Sequence, residues 1–274
     1  MSFKSWLHQL AKPAIKRILK DDLLKTPVLT NSIPKSGTHL LSNMLFSIPY
    51  SQMGGDATDA DKFSDDSERF GFMKNQLTDF SAGSVVLGHI PYSQKIDNWL
   101  AEKDVKHVFV VRDPRDVAVS MHYYVMKSQG KHFHYPIYSS LETNEERLLQ
   151  VIEGFGEGKT SFRESSESIP NLKIYYEAYF PWIESPNTYV VKFEDLINPK
   201  KKYKEVQNLL NFLEITPSNA NIDRMIQRGQ NPKKSSTFRK GKKEGWRDEF
   251  QAEHIEAFER VFGSELLRKL GYEI

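Results

Sequence analysis

Thr30-Asn31-Ser32-Ile33-Pro34-Lys35-Ser36-Gly37-Thr38-His39-Leu40-Leu41 is the stretch of this 274-residue chain whose reading decides the fold. Residues 28–33 are apolar enough for a buried strand, a short turn with one proline and one glycine follows, and residues 38–46 carry a helical pattern. A strand that turns this tightly into a helix aims backbone N–H groups and a helix N-terminus at one point, which makes an anion site. Lys35 adds a positive charge there and Thr38 a hydroxyl. The loop is not a Walker A motif, because its lysine precedes the glycine and GxxxxGK[ST] is absent. A kinase or ATPase also needs an acidic magnesium ligand on a later strand, and residues 105–111 offer none. Taken alone, the loop has a plain helix-capping turn as its weaker alternative reading.

Working outward, short apolar strands at 85–87, 105–111 and 187–193 alternate with helices at 114–126 and 200–213. Asp113 is the expected N-cap of the helix at 114–126, with Pro114 in its first position. A long amphipathic helix is expected over 249–270. Such alternation implies right-handed crossovers, so the expected class is α/β, with a central parallel sheet flanked by helices and a P-loop-like turn. No repeat or linker interrupts it, so residues 1–274 read as one domain. Its parts are an N-terminal extension at 1–25, a core at 28–250 and a C-terminal helix at 250–274.

Composition narrows the function classes. With 38 Lys+Arg against 36 Asp+Glu, the net charge is +2, which argues against a nucleic-acid partner. There is no cysteine, which excludes disulfides, thiolate zinc sites and a cysteine nucleophile. No apolar run approaches the roughly 18 residues of a membrane span, and no signal sequence opens the chain, so a cytoplasmic protein is expected. The first 25 residues interleave Trp6, Leu7, Leu10, Ile15, Ile18 and Leu19 with five basic residues, and Pro13 divides them. Docking of that apolar face on the body of the protein outweighs contact with a membrane surface.

Three further segments carry chemistry. In Val111-Arg112-Asp113-Pro114-Arg115-Asp116-Val117-Ala118-Val119-Ser120, Arg112 ends a strand and Ser120 lies on the following helix. A guanidinium and a hydroxyl there suit a phosphate, the alternative being an ion-pair network among residues 112–116. Phe238-Arg239-Lys240-Gly241 with Trp246 forms a basic loop whose glycine allows close backbone approach to a ligand. His89 stands in Gly88-His89-Ile90-Pro91, after a strand.

Together these motifs resemble the sulfotransferases that use 3′-phosphoadenosine 5′-phosphosulfate (PAPS), over about residues 28–250. Pro34-Lys35-Ser36-Gly37-Thr38 is similar to their phosphosulfate loop, and Arg112 through Ser120 to their 3′-phosphate motif. Arg239-Lys240-Gly241 with Trp246 resembles their C-terminal cofactor loop, and Lys192-Phe193-Glu194-Asp195 their strand-ending segment. The resemblance implies sulfuryl transfer from PAPS to a hydroxyl or amine of a small molecule, without a metal. His89 would be the base, and Lys35 would stabilise the leaving phosphate. Ser36, Gly37, Thr38 and His39 would hold the 5′-phosphate. Arg112, Ser120, Phe193, Phe238, Arg239, Lys240 and Gly241 would complete the cofactor site.

Several positions depart from the family pattern. Leu40 stands where the cytosolic members carry an adenine-stacking tryptophan, Leu87 where they often carry lysine, and Phe193 where tyrosine is usual. The family's dimerisation pattern is kept only in part, so the oligomeric state stays open. These departures imply a divergent, bacterial member. A catalytically inactive PAPS-binding protein and an enzyme acting on polysaccharide or protein are the competing readings. Lys35 with His89 counts against the first, and the missing anchor and disulfides against the second.

Weaker signals remain. His132 and His134 are expected to be solvated or substrate-facing rather than metal ligands. His122 and Tyr123 are expected in the core, and Lys200-Lys201-Lys202 as a solvated helix start. Residues 54–69 hold six acids and two bases. They read either as a solvated acidic loop or as a negative rim for a cationic acceptor.

Overall fold

Short runs of Val, Leu and Phe that are buried on both faces cannot alternate with polar residues, and such runs pair as parallel strands covered by helices. The computed structural model describes residues 22–77, 81–159, 162, 167–216, 218–231 and 243–273. Along the chain the elements are β1 (Val28–Ser32), α1 (Thr38–Leu45), β2 (Gln52–Ala57), α2 (Asp66–Gln76), β3 (Ser84–Gly88), α3 (Gln94–Glu102), β4 (Lys106–Val111) and α4 (Pro114–Lys127). Then come α5 (Tyr135–Ser139), α6 (Asn144–Glu153), α7 (Leu172–Glu177), α8 (Pro181–Glu184), β5 (Thr188–Lys192), α9 (Phe193–Ile197), α10 (Lys202–Phe212) and α11 (Asn219–Gly229). The last two are α12 (Ala252–Val261) and α13 (Ser264–Lys269).

The five strands form one parallel sheet in the order β2-β3-β1-β4-β5. β1 is central, and Asn31 lies opposite Gly88 on one side and Phe109 on the other. Alternation along each strand separates the core into two layers. Val28, Val85, Val108, Val110 and Val191 face α1, α10 and α11, whereas Leu29, Val86, Phe109 and Val111 face α3, α4, α6 and α12. The expected α/β class with a parallel sheet is therefore the observed one. Asp113 caps α4 through the Arg115 N–H at 2.9 Å, with Pro114 in the first turn.

Three expectations change. The single long C-terminal helix over 249–270 is two helices, because Gly263 takes a left-handed φ of 75° and turns the chain between α12 and α13. β2 falls in the acidic glycine-containing stretch where no strand was expected; it is an edge strand, and Met53 is 54% exposed. The acidic stretch is thus not one loop, since it also starts α2, whose N-cap is Asp65. Of the N-terminal extension, residues 1–21 lie outside the described residues.

Beyond the last ladder pair, the Asn31 side chain extends the β1–β3 contact. Its amide donates to the Ile90 carbonyl at 3.0 Å and its oxygen accepts from the Ile90 N–H at 2.8 Å, both buried. Asn31→Ala strands the Ile90 N–H, while the Ile90 carbonyl keeps the Trp182 Nε1–H at 2.8 Å, and is expected to lower stability by about 1–3 kcal/mol, measured by urea unfolding. An unchanged midpoint would show that water replaces the amide.

Candidate active site

Loops that leave the C-terminal ends of neighbouring parallel strands converge, and ligands of open α/β sheets collect there. Here those loops enclose a cavity of about 780 Å³, within the roughly 300–1,000 Å³ of small-molecule sites. Lys35, Gly37, Thr38, His39, His89, Arg112, Ser120 and Phe193, separated by up to 158 positions of sequence, all line it. Ser36 is buried beneath the loop, and its Oγ has no hydrogen-bond partner among the described residues. Phe238, Arg239, Lys240 and Gly241 lie outside the described residues.

The loop after β1 owes its shape to two left-handed residues, Lys35 at φ 71° and Gly37 at φ 114°. Its turn is closed by the Ser36 N–H on the Ile33 carbonyl at 3.1 Å. A Cβ on Gly37 would lie 2.6 Å from the Phe193 ring, so glycine is required for space as well as for φ. No side chain caps α1, which leaves its first N–H groups to a ligand. A free helix N-terminus, an unpaired buried hydroxyl and a lysine fit a phosphate-bearing group.

Arg112 stabilises this loop and stands in the same wall. Its Nη1 donates to the Lys35 carbonyl at 2.9 Å, and its guanidinium lies 4.4 Å from the Phe193 ring centroid. Its Nε is buried with no partner among the described residues. The ion-pair network weighed as the alternative is also present in part. Arg115 pairs with Asp113 at 2.8 Å, and Asp116 lies 4.0 Å from Arg112. Asp116 in addition accepts the N–H groups of Glu244 and Trp246 at 3.0 and 2.9 Å. Trp246 is buried beneath the Arg115 guanidinium at 4.2 Å, so it anchors the C-terminal segment on α4.

Lys35 Nζ sits 3.9 Å from the centre of the Tyr124 ring. Loss of water, together with Arg112 and Lys127, lowers its pKa to about 7. His89 Nδ1 lies 2.9 Å from the Ser32 carbonyl, which can only accept. The proton is therefore on Nδ1, and Nε2 carries the lone pair. Burial lowers the His89 pKa to about 4 despite that bond, so the ring is neutral at pH 7.

On the β2 side the wall changes character. Asp56, Asp59, Asp61 and Lys62 line the cavity together with His132, Phe133, His134, Tyr138 and Tyr175. Burial pushes Asp61 up to about 7, opposed by a hydrogen bond from the Tyr175 hydroxyl. His132, partly exposed, and His134, buried, both line the cavity, and burial lowers them to about 4 and about 3. Asp65 and Asp66 serve α2 instead. Asp65 accepts from Ser67 and Glu68, and Asp66 lies 3.5 Å from Arg69. His122 is buried, as expected, while Tyr123 reaches out to bond Glu249. Among the described residues no group of three His, Asp or Glu is placed to hold a metal.

Sequence reasoning missed the end of α11. Gly229, Gln230 and Asn231 line the cavity near Leu40, Phe193 and Ile197. A Cβ on Gly229 would lie 2.4 Å from Met44 Cγ, so this glycine lets α11 approach α1. Only a lone glycine in a helical pattern could have signalled it.

A family model described as sulfotransferase domain matches residues 25–271. Human sulfotransferase 1E1 is 24% identical over 265 residues, covering 85% of this chain and 81% of that protein. Among solved structures, mouse sulfotransferase SULT7A1 complexed with PAP superposes with a TM-score of 0.62 at 19% identity, covering 92% and 89% of the two chains. Retinol dehydratase in complex with androsterone and inactive cofactor PAP gives 0.56 at 19% identity, covering 91% and 84%. These two structures share the fold.

The Lys35 environment has a measurable consequence. An anion bound at the loop raises the lysine's pKa above about 7, so between the free and bound values binding takes up a proton. Affinity for a phosphate ligand such as PAP is expected to fall as pH rises through 7 to 9, by up to about tenfold per unit. Calorimetry in buffers of different ionisation enthalpy reads the proton, and Lys35→Met removes it. A pH-independent affinity would mean that Lys35 is charged throughout.

Proposed function

The chain belongs to the sulfotransferase domain family, and on that premise we propose that it transfers a sulfuryl group from PAPS to a hydroxyl or amine of a small molecule, with His89 as base. PAPS supplies the activated sulfuryl group. The chain's residues divide the remaining work, and sulfuryl transfer, like phosphoryl transfer, needs positioning and charge stabilisation above all.

The loop at 33–37 and the N-terminus of α1 receive the 5′-phosphosulfate, with Thr38 and His39 beside it. Arg112 and Ser120 receive the 3′-phosphate, and Arg239, Lys240 and Gly241 complete that subsite. Lys35 stabilises the charge that develops on the leaving phosphate oxygen. His89 Nε2 accepts the acceptor's proton; its neutral state and its fixed tautomer support this role. The observation that carries the reading is the meeting of Lys35, His89 and Arg112 in one cavity, from the ends of three adjacent strands. The closed walls of that cavity favour a small acceptor. Among the described residues no helix is long and apolar enough to cross a membrane.

The test is incubation with PAPS and a panel of phenols, alcohols and amines, with mass spectrometry showing products heavier by one SO₃ unit. PAP at 100 times its Kd is expected to add about 2.7 kcal/mol of stability, and 5′-AMP, which lacks the 3′-phosphate, far less. Equal shifts from both would remove Arg112 and Ser120 from the assignment. His89→Asn is expected to lower kcat by roughly 10²-fold while PAP affinity stays unchanged. Because the base titrates at about 4, kcat should hold from pH 7 down to pH 5 and fail only below. A fall centred near 6.5 would move the base to another residue.

A further inference from the structure

The strand order separates two kinds of charge. Lys35 and Arg112 follow β1 and β4, whereas Asp56 lies near the end of β2 and Asp59 and Asp61 follow that strand, beyond β3 and His89. Asp61 is the buried member of this set, at 7% exposure. Its Oδ2 accepts from the Tyr175 hydroxyl at 3.1 Å, which fixes the carboxyl in the cavity wall. Among the described residues no cation pairs with it. The adjacent Lys62 pairs with Asp59 at 2.7 Å instead.

A second observation points to a missing polar group in the same cavity. His134 is 3% exposed and lines the cavity, yet its Nε2 is buried with no hydrogen-bond partner among the described residues. A buried polar atom left this way costs about 1–3 kcal/mol until something binds it. Phe133, Tyr138 and Tyr175 line the rest of the wall, and aromatic faces attract cations.

We infer that Asp61, held by Tyr175, anchors a positively charged group of the acceptor, an ammonium or a guanidinium, with His134 of the same cavity as a further hydrogen-bond partner, while a separate hydroxyl of that molecule meets His89. The inference rests on the sulfuryl-transfer reading above and names the acceptor class. Desolvation is what makes the pairing selective: a carboxyl removed from water gains most from a cation and least from a neutral group of the same shape. Asp65 and Asp66 have no part in it, since they cap and flank α2.

Tyramine and 4-ethylphenol differ only by the ammonium and serve as probes. The full-length protein with saturating PAPS is expected to prefer tyramine by roughly 30-fold or more in kcat/KM, expressed mainly in KM. Asp61→Asn, which keeps the shape and the Tyr175 bond, is expected to bring that ratio close to one, and Tyr175→Phe to reduce it in part. Asp66→Asn should leave the ratio as it is. PAP affinity and the melting midpoint of each variant confirm that the fold is intact. A ratio near one in the unaltered protein, the same ratio in Asp61→Asn, or no product from either phenol while another panel acceptor is sulfated would each overturn the inference. Absence of sulfated product from every acceptor would instead count against the sulfuryl-transfer reading itself.

Discussion

The hydrogen bond from the His89 ring to the Ser32 carbonyl depends on β1 and β3 lying side by side, and much of the site depends on it in turn. Ser32 is the last residue of β1, and its other groups are committed as well. Its hydroxyl meets that of Thr38, at the start of α1. One residue earlier, Asn31 clamps both backbone groups of Ile90. The strand end therefore fixes the imidazole, the helix start and the turn between them as one unit. Because both Asn31 groups are buried and paired, shifting the β1–β3 register by one residue would break the two Asn31–Ile90 bonds and the His89–Ser32 bond at once.

Charge in the cavity is arranged at the cost of stability. Lys35 stands in one wall with Arg112, and burial, reinforced by the Arg112 charge, depresses the lysine. Asp116 offsets part of this: it lies 4.0 Å from Arg112 and uses its oxygens to hold the Glu244 and Trp246 N–H groups. Burial nevertheless raises the Asp116 pKa, and its guanidinium neighbour and backbone donors oppose that rise. One carboxyl thus couples the basic wall to the docking of the C-terminal segment. Unpaired charge of this kind is costly in an empty cavity and favourable once an anion enters.

What the sequence made legible follows from where the information lies. β3, β4 and β5 contain apolar runs, β1 opens on Val28 and Leu29 before three polar residues, and α4 announces itself through Asp113 and Pro114. Lys35, His89, Arg112 and Ser120 sit in short local motifs at strand ends, so their convergence needed only the strand order. β2 was hidden because QMGGDA has no apolar alternation, as suits an edge strand with exposed Met53. The α12–α13 break hung on the single left-handed residue Gly263. The bond between Asp61 and Tyr175 spans 114 residues. Nothing near either residue in sequence could reveal it, and two of the six acids of that stretch, Asp65 and Asp66, serve a helix.

Phe193 shows how a departure from the family pattern is accommodated. It begins α9 directly after β5, and its ring lies between the Gly37 backbone and the Arg112 guanidinium. A flat hydrocarbon face suits both neighbours: it packs against a residue without a side chain, and it attracts the cation through its π-face. The phenolic hydroxyl usual in the family is thus unnecessary for either contact. Arg112 in turn donates to the Lys35 carbonyl, which closes a circuit from β5 through β4 back to the loop after β1. Glycine at position 37 is demanded twice within that circuit, once by φ and once by the ring. The loop therefore keeps its shape through packing, the Ser36 N–H on the Ile33 carbonyl and one guanidinium hydrogen bond, leaving the start of α1 without a side-chain cap.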